Sequence, residues 1–158
     1  MNAIRTVEGD LRVGGLRIAL VASRFNEAVV ERLVKGAVDA LVAHGAEPAA
    51  LELLRVPGAY DLPFIARCVA ESGRFDAIVA LGAVIRGETA HFDYVAGECA
   101  AGLARVSSDT GVPVAFGVLT TENEEQAMER AGGSEGNKGA DAALAAIELA
   151  NLLRKLGG

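Results

Sequence analysis

A chain of 158 residues is most economically one domain, 1–158, and it is long enough to bury a sizeable core. It is 51% hydrophobic but only 4% aromatic, with no Trp, and its apolar mass of Ala, Val and Leu suits helices packed closely on a sheet better than an aromatic-rich binding surface. A formal net charge of -6 with no Lys/Arg cluster leaves nucleic-acid binding without its counterion-release attraction, and no apolar run approaches the roughly 20 residues of a membrane span.

Met1 is not followed by a charged-then-apolar leader, so the expected location is the cytoplasm. Cys68 and Cys99 both fall in Ala-rich helical pattern without a partner motif. They are expected to be small buried thiols rather than a disulfide or a metal pair.

Residues 1–15 read as an amino-terminal arm. Thr6-Val7-Glu8-Gly9-Asp10-Leu11 is too short to hold a place in a core by itself, and a short strand added to a neighbouring subunit explains it better than a frayed end. Leu16 to Ala22 is the first strand, with Ser23-Arg24-Phe25-Asn26 as the loop at its carboxyl end. From Glu27 the apolar positions Val29, Val30, Leu33, Val34, Ala37, Val38, Leu41 and Val42 repeat at helical spacing until His44-Gly45 closes the helix. His44, next to that Gly, reads as a helix C-terminal cation. Leu51 to Val56 is the second strand and ends in Pro57-Gly58-Ala59-Tyr60-Asp61. Asp61 is placed to cap the next helix, which tolerates Pro63 in its first turn and runs to Glu71 before Ser72-Gly73 stops it.

The apolar run Ala77 to Leu81 suits a strand buried on both faces. The stretch that follows, to Tyr94, reads as a polar turn leading into an Ala-rich helix from Phe92 to Asp109, ended by Gly111. Val112 to Leu119 is the fourth strand. Thr121 with Glu124 offers a capping box for a short helix ending at Arg130-Ala131-Gly132. A polar turn, Gly133 to Gly139, then leads to the last helix, Ala140 to Leu156. This alternation predicts an α/β fold, a three-layer α-β-α sandwich around a four-stranded parallel sheet with right-handed crossovers. Strand ends would set Phe25, Tyr60, His91 and the loop after Phe116 along one edge, where ligands bind in such sheets.

Common cofactor motifs fail on inspection. No G-x-G-x-x-G follows the first strand, and Asn137 stands where a P-loop needs the glycine before its lysine. There is no G-x-S-x-G, and no His/Cys/carboxylate cluster has the spacing of a metal site. What remains is a polar edge with one His, aromatics and two places for an anion. The first is the backbone around Gly87-Glu88-Thr89, where a helix start offers unpaired N–H groups. The second is Arg130, suited either to a bidentate phosphate clamp or to the dipole of the helix it ends. Lys138 reads as a solvated turn charge unless a ligand reaches it. His91 lies in sequence beside Glu88 and Asp93, with Arg86 nearby; this suits proton transfer near neutral pH, and a cap or core role competes with it. Phe25 and Tyr60 are either core or a stacking wall for a flat heterocycle.

Ser23-Arg24-Phe25-Asn26, Val56-Pro57-Gly58-Ala59-Tyr60-Asp61-Leu62-Pro63, the central Leu81-Gly82-Ala83-Val84-Ile85-Arg86-Gly87-Glu88-Thr89-Ala90-His91-Phe92-Asp93-Tyr94, Gly117-Val118-Leu119-Thr120-Thr121-Glu122-Asn123, Arg130-Ala131-Gly132 and Gly136-Asn137-Lys138-Gly139 resemble lumazine synthase. The resemblance runs in order from Thr6 to Leu153. It implies a flavodoxin-like fold and a transferase of riboflavin biosynthesis that condenses 5-amino-6-(D-ribitylamino)uracil with 3,4-dihydroxy-2-butanone 4-phosphate. The products would be 6,7-dimethyl-8-ribityllumazine, water and phosphate. By the same resemblance Phe25 stacks on the pyrimidine, Ala59, Tyr60, Asp61, Ala83, Val84 and Ile85 bind the ring and ribityl chain, and Phe116 lines the pocket. Glu88, Thr89 and Arg130 would hold the butanone phosphate, with Lys138 as a further candidate, and His91 would transfer protons. No metal or redox cofactor is required. Three positions depart from the family pattern: Tyr60 stands for a commoner Phe or Trp, Asp61 for a commoner Glu, and Ala90 for a usual Pro, which loosens the turn before His91.

The resemblance also implies a homopentamer with each site between two neighbours, Phe116, Arg130 and Lys138 coming from the subunit opposite Phe25 and His91, and riboflavin synthase as a partner. The stretch Arg130 to Lys138 lacks the insertion that pentamer-only members often carry, which points to a 60-subunit icosahedral shell. Two alternatives compete. One is the smaller archaeal-type riboflavin synthase, against which the anion turn stands, since that reaction uses no phosphorylated substrate. The other is a non-catalytic lumazine- or flavin-binding or shell-forming homologue, against which His91 and Arg130 stand.

Overall fold

In the computed structural model, which describes residues 3–157, the chain folds as β1 (Ile18–Ser23), α1 (Glu27–Ala43), β2 (Leu51–Val56), α2 (Leu62–Glu71), β3 (Ala77–Ile85), α3 (His91–Thr110), β4 (Val114–Thr121), α4 (Glu124–Glu129), β5 (Ala131–Gly133), β6 (Gly136–Asn137) and α5 (Lys138–Lys155). One-turn 3₁₀ segments lie at Pro48–Ala50 and Ala59–Asp61. β1 to β4 form one parallel sheet in the order β2-β1-β3-β4.

The central strands β1 and β3 are apolar at almost every position because both of their faces are covered. Ile18, Leu20, Ala22, Val79 and Leu81 pack under α1 and α5, whereas Ala19, Val21, Ile78, Ala80 and Val84 pack under α2 and α3. The connection from β1 to β2 crosses the sheet one way and those from β2 to β3 and β3 to β4 cross the other way, so right-handed crossovers place α1 opposite α2 and α3. α1 and α5 approach closely: a Cβ on Gly139 would collide with the Leu33 carbonyl, so only Gly fits at that contact.

The parallel sheet, the three layers and the long helices agree with the sequence reading, with ends displaced by two residues or fewer at most elements. Several local expectations are corrected. β3 continues past Leu81, because Gly82 to Ile85 pair with Val118 to Thr121 of β4, so the polar turn begins only at Arg86. Since β4 reaches Thr121, Phe116 lies inside the strand opposite Ala80 rather than before a loop at the carboxyl edge. Thr121 therefore does not cap α4. Asn123 does, its Oδ1 accepting from Gln126 N at 2.8 Å, and Gln126 Oε1 accepts in turn from Glu122 N at 2.8 Å. Asp61 does not cap α2; its Oδ2 accepts from Gly58 N at 2.9 Å and closes the turn before the helix. The turn from Gly133 contains a small antiparallel hairpin, β5–β6, and Asn137 caps α5 by accepting from Gly139 N and Ala140 N.

Cys99 is buried as expected, but Cys68 is exposed. The inner face of α2 is made by Leu62, Ala66, Val69 and Ala70, which leaves Cys68 on the outer side. Within the single chain residues 3–17 form no strand, and the stretch from Glu8 to Arg12 lies against α5. Lys155 Nζ donates to Glu8 O at 2.6 Å, and Asn151 Nδ2 donates to Asp10 O and Arg12 O, both at 2.9 Å. Val13 and Leu16 enter the core under α1, while Ile4 and Val7 stay exposed. Among the described residues no helix is long and apolar enough to cross a membrane.

Candidate active site

β1 and β3 are neighbours in the sheet although β2 separates them in sequence. The chain leaves their carboxyl ends in opposite directions, which opens a crevice at that point. A cavity of about 600 Å³ lies there. Its walls are Phe25 and Asn26 after β1, Gly58, Ala59, Tyr60 and Asp61 after β2, and Ala83, Val84 and Ile85 at the end of β3. Gly87 and Thr89 of the following turn and His91, Phe92, Tyr94 and Val95 of α3 complete it.

Phe25 is 72% exposed and Tyr60 62% exposed, so neither ring belongs to the core and both stand at the mouth of the cavity. The loop carrying Phe25 is fixed by its neighbour. Asn26 adopts a left-handed backbone, φ 62 and ψ 46, and its Nδ2 donates to Ala83 O at 2.8 Å. That bond ties the loop after β1 to the end of β3. A non-glycine residue in this region costs on the order of 1 kcal/mol or more and persists where its surroundings hold it.

The turn from Arg86 to His91 supplies the opposite wall. Arg86 N donates to Thr121 O at 2.9 Å, extending the β3–β4 ladder by one bond. Thr89 Oγ1 accepts from His91 N at 3.3 Å, which satisfies one of the free donors at the start of α3. The N–H groups of Gly87, Glu88, Thr89 and Ala90 donate to no protein acceptor among the described residues. Unpaired donors at the start of a 20-residue helix suit the binding of an anion.

The backbone of His91 serves the helix start, while its side chain lines the cavity at an exposed position. The carboxylates near it in sequence are not its partners. Asp93 pairs with Arg86 Nη1 at 3.4 Å, and Glu88 is exposed outside the cavity wall. Thr89 lines the cavity, and the Glu88 side chain does not.

Three predicted site residues lie away from the cavity of their own chain. Phe116 is 40% exposed on the edge strand β4, well below the carboxyl end. Arg130 ends α4 and folds back along it, Nη1 donating to Gln126 O at 3.0 Å beside Glu129 Oε1 at 3.4 Å. Lys138 opens α5, where its backbone N donates to Arg130 O at 2.9 Å. Within one chain Arg130 thus acts as the cation at a helix C-terminus.

The family model described as 6,7-dimethyl-8-ribityllumazine synthase matches residues 15–154. The chain belongs to the lumazine synthase family. Its role is therefore in riboflavin biosynthesis, within a family of transferases, and its four-stranded parallel sheet is the flavodoxin-like fold of that family.

For a lumazine synthase, the three departures have readable local consequences. Ala90 has φ -69 and an unpaired N–H, so the backbone already holds the conformation that Pro would impose. Asp61 lines the cavity with one carboxylate oxygen engaged by Gly58 N, a bond its short side chain reaches within the turn. Tyr60 keeps an aromatic ring at the mouth and adds a hydroxyl there. Asn26, Gly58, Phe92, Tyr94 and Val95 also line the cavity, and sequence reasoning assigned none of them a ligand role.

Proposed function

We propose that this chain condenses 5-amino-6-(D-ribitylamino)uracil with 3,4-dihydroxy-2-butanone 4-phosphate to give 6,7-dimethyl-8-ribityllumazine, phosphate and water. The observation that carries the reading is that one cavity joins an aromatic mouth, a cluster of unpaired N–H groups and an exposed imidazole. Phe25 stacks on the pyrimidine, with Ala59, Tyr60, Asp61, Ala83, Val84 and Ile85 around the ring and ribityl chain. The N–H groups from Gly87 to Thr89, with the Thr89 hydroxyl, receive the phosphate, and Glu88 contributes through its backbone.

The uracil amine attacks the ketone carbon, and loss of water gives an imine. His91 then takes the proton from the carbon next to the imine, and the electron pair expels phosphate from the adjacent carbon. The enol left behind takes a proton at its terminal carbon, which becomes a methyl group, and so turns into a ketone. The ribitylamino nitrogen attacks that new carbonyl, and loss of a second water closes the ring. Holding the two molecules in register supplies roughly 7–11 kcal/mol, and proton transfer by His91 a further factor of about 10²–10⁴. The residues assign no step to a metal or redox cofactor.

The cavity is completed by an adjacent subunit of a homopentamer, which brings Phe116, Arg130 and Lys138 to it. Their exposure and their distance from their own cavity support this arrangement. We further propose assembly into a 60-subunit shell, from the compact β5–β6 hairpin, a cytoplasmic location, and riboflavin synthase as the enzyme that takes the product.

Phosphate release and lumazine absorbance, followed with both substrates, test the reading. The unaltered protein is expected to release one phosphate per lumazine formed, His91→Ala to slow turnover by about 10²–10⁴-fold, and Arg130→Ala mainly to raise the KM of the phosphate substrate. Lumazine binding without phosphate release would replace the enzyme with a carrier.

A further inference from the structure

The turn that presents the unpaired N–H groups is short of internal bonds. Among the described residues its side chains contribute one, from His91 N to Thr89 Oγ1. What fixes it lies outside, in Arg86. The backbone of Arg86 is anchored at the near end, where its N–H donates to Thr121 O. Its side chain spans to the far end, with Cζ 4.4 Å from the centroid of the Phe92 ring and Nη1 3.4 Å from Asp93 Oδ1. On the other side Nε lies 2.8 Å from Glu122 Oε2, just beyond the end of β4. One residue therefore holds both ends of the Gly87–Ala90 turn and joins β3, α3 and the β4–α4 connection.

We infer that Arg86 is a positioning residue: it sets the turn in the shape that aims its N–H groups at the substrate phosphate, without touching the phosphate itself. The inference rests on the function proposed above. Two observations favour a strut over a ligand. Arg86 does not line the cavity, whereas Phe92, on which it stacks, does. Its single positive charge faces two carboxylates, Asp93 and Glu122, so the cluster as a whole repels an anion. The guanidinium shape is what the position uses. Its planar fork engages two carboxylates while its face covers a ring, a combination that a lysine ammonium lacks. The pairs are largely exposed, and such pairs add little to stability, so the consequence is expected in catalysis rather than in folding.

The test uses the assembled enzyme and steady-state kinetics with each substrate varied in turn. Arg86→Met keeps an apolar stem over Phe92 and removes both ion pairs. It is expected to raise the KM of the butanone phosphate about 10–100-fold, while the KM of the pyrimidine stays within about twofold. The double variant Asp93→Asn, Glu122→Gln leaves the cation in place and cuts both of its tethers. A positioning role predicts a higher phosphate-substrate KM here too, whereas direct attraction by Arg86 predicts a lower one, since two negative charges are gone. Arg86→Lys is expected to recover only part of the loss. A lowered KM in the double variant, or full recovery with lysine, overturns the inference. If Arg86→Met does not fold, judged by its thermal melt, the double variant carries the decision. An unaltered protein that forms no lumazine overturns the function itself, which is a separate result from any of these.

Discussion

Asn26 joins a strained backbone to a long-range bond, and the two contributions can be separated. Glycine adopts φ 62 freely but cannot donate to Ala83 O, whereas alanine loses the bond and keeps the strain. Asn26→Ala is expected to destabilise the protein by about 1–3 kcal/mol and Asn26→Gly by less, measured by urea unfolding. Equal losses would show that the backbone conformation costs nothing. The sequence places Asn26 at a helix start, but its partner lies 57 positions away, which local pattern does not reveal. The same limit applies to Arg86: sequence set it near His91, yet its carboxylates, Asp93 and Glu122, come from two different elements.

The two thiols give a second prediction at this scale. Burial disfavours the charged thiolate of Cys99 and pushes its pKa from 9.0 up to about 11. The unfolded chain releases this proton at lower pH than the folded one does. Stability contributed by the neutral thiol is therefore complete below about pH 9 and lost progressively as pH rises through about 11. At pH 8 an alkylating reagent is expected to modify Cys68 quickly and Cys99 only on unfolding, as counted by mass spectrometry. Rapid modification of both in the folded protein would contradict the burial. Composition alone treated the two cysteines alike; the difference is which side of its helix each one occupies.

Between elements, the turn before α3 is where local sequence was least informative. Gly82-Ala83 reads as the start of a turn, yet pairing with β4 carries the strand on to Ile85 and moves the turn to Arg86. Strand length here is set by a partner strand, not by the residues themselves. The buried run before it, and the helix after it up to Gly111, were legible because apolar spacing and a left-handed stop residue act within a few positions. The departure at Ala90 can be reversed. Its φ of -69 fits proline and its N–H has no acceptor to lose. Ala90→Pro is expected to stabilise the chain by about 0.4–1 kcal/mol by restricting the unfolded state, read as a rise in the urea midpoint. A loss of stability instead would show that Thr89 cannot take the extended conformation that a following proline favours.

For the whole molecule, the alternation of strands and helices made the sheet and its ligand edge legible, while which side chains share one cavity within a chain was not. The cavity gathers Phe25, Tyr60, Thr89 and His91 and leaves out Phe116, Arg130 and Lys138. Its mouth is rimmed by exposed rings, among them Phe25, Tyr60 and Tyr94, an apolar surface of the kind that a partner covers. A second copy supplying Arg130 from a different face, as proposed above, would make a heterologous contact, which forms a ring where its rotation closes. If each site spans two subunits in this way, subunits bearing His91→Ala and subunits bearing Arg130→Ala complement each other. In a mixed assembly, some sites pair the intact His91 of one subunit with the intact Arg130 of its neighbour. Refolding the two variants together is then expected to restore lumazine formation at low concentrations of the phosphate substrate, where each variant alone is slow. If both residues serve a site within one chain, co-refolding gives only the average of the two variants, and the two-subunit site falls.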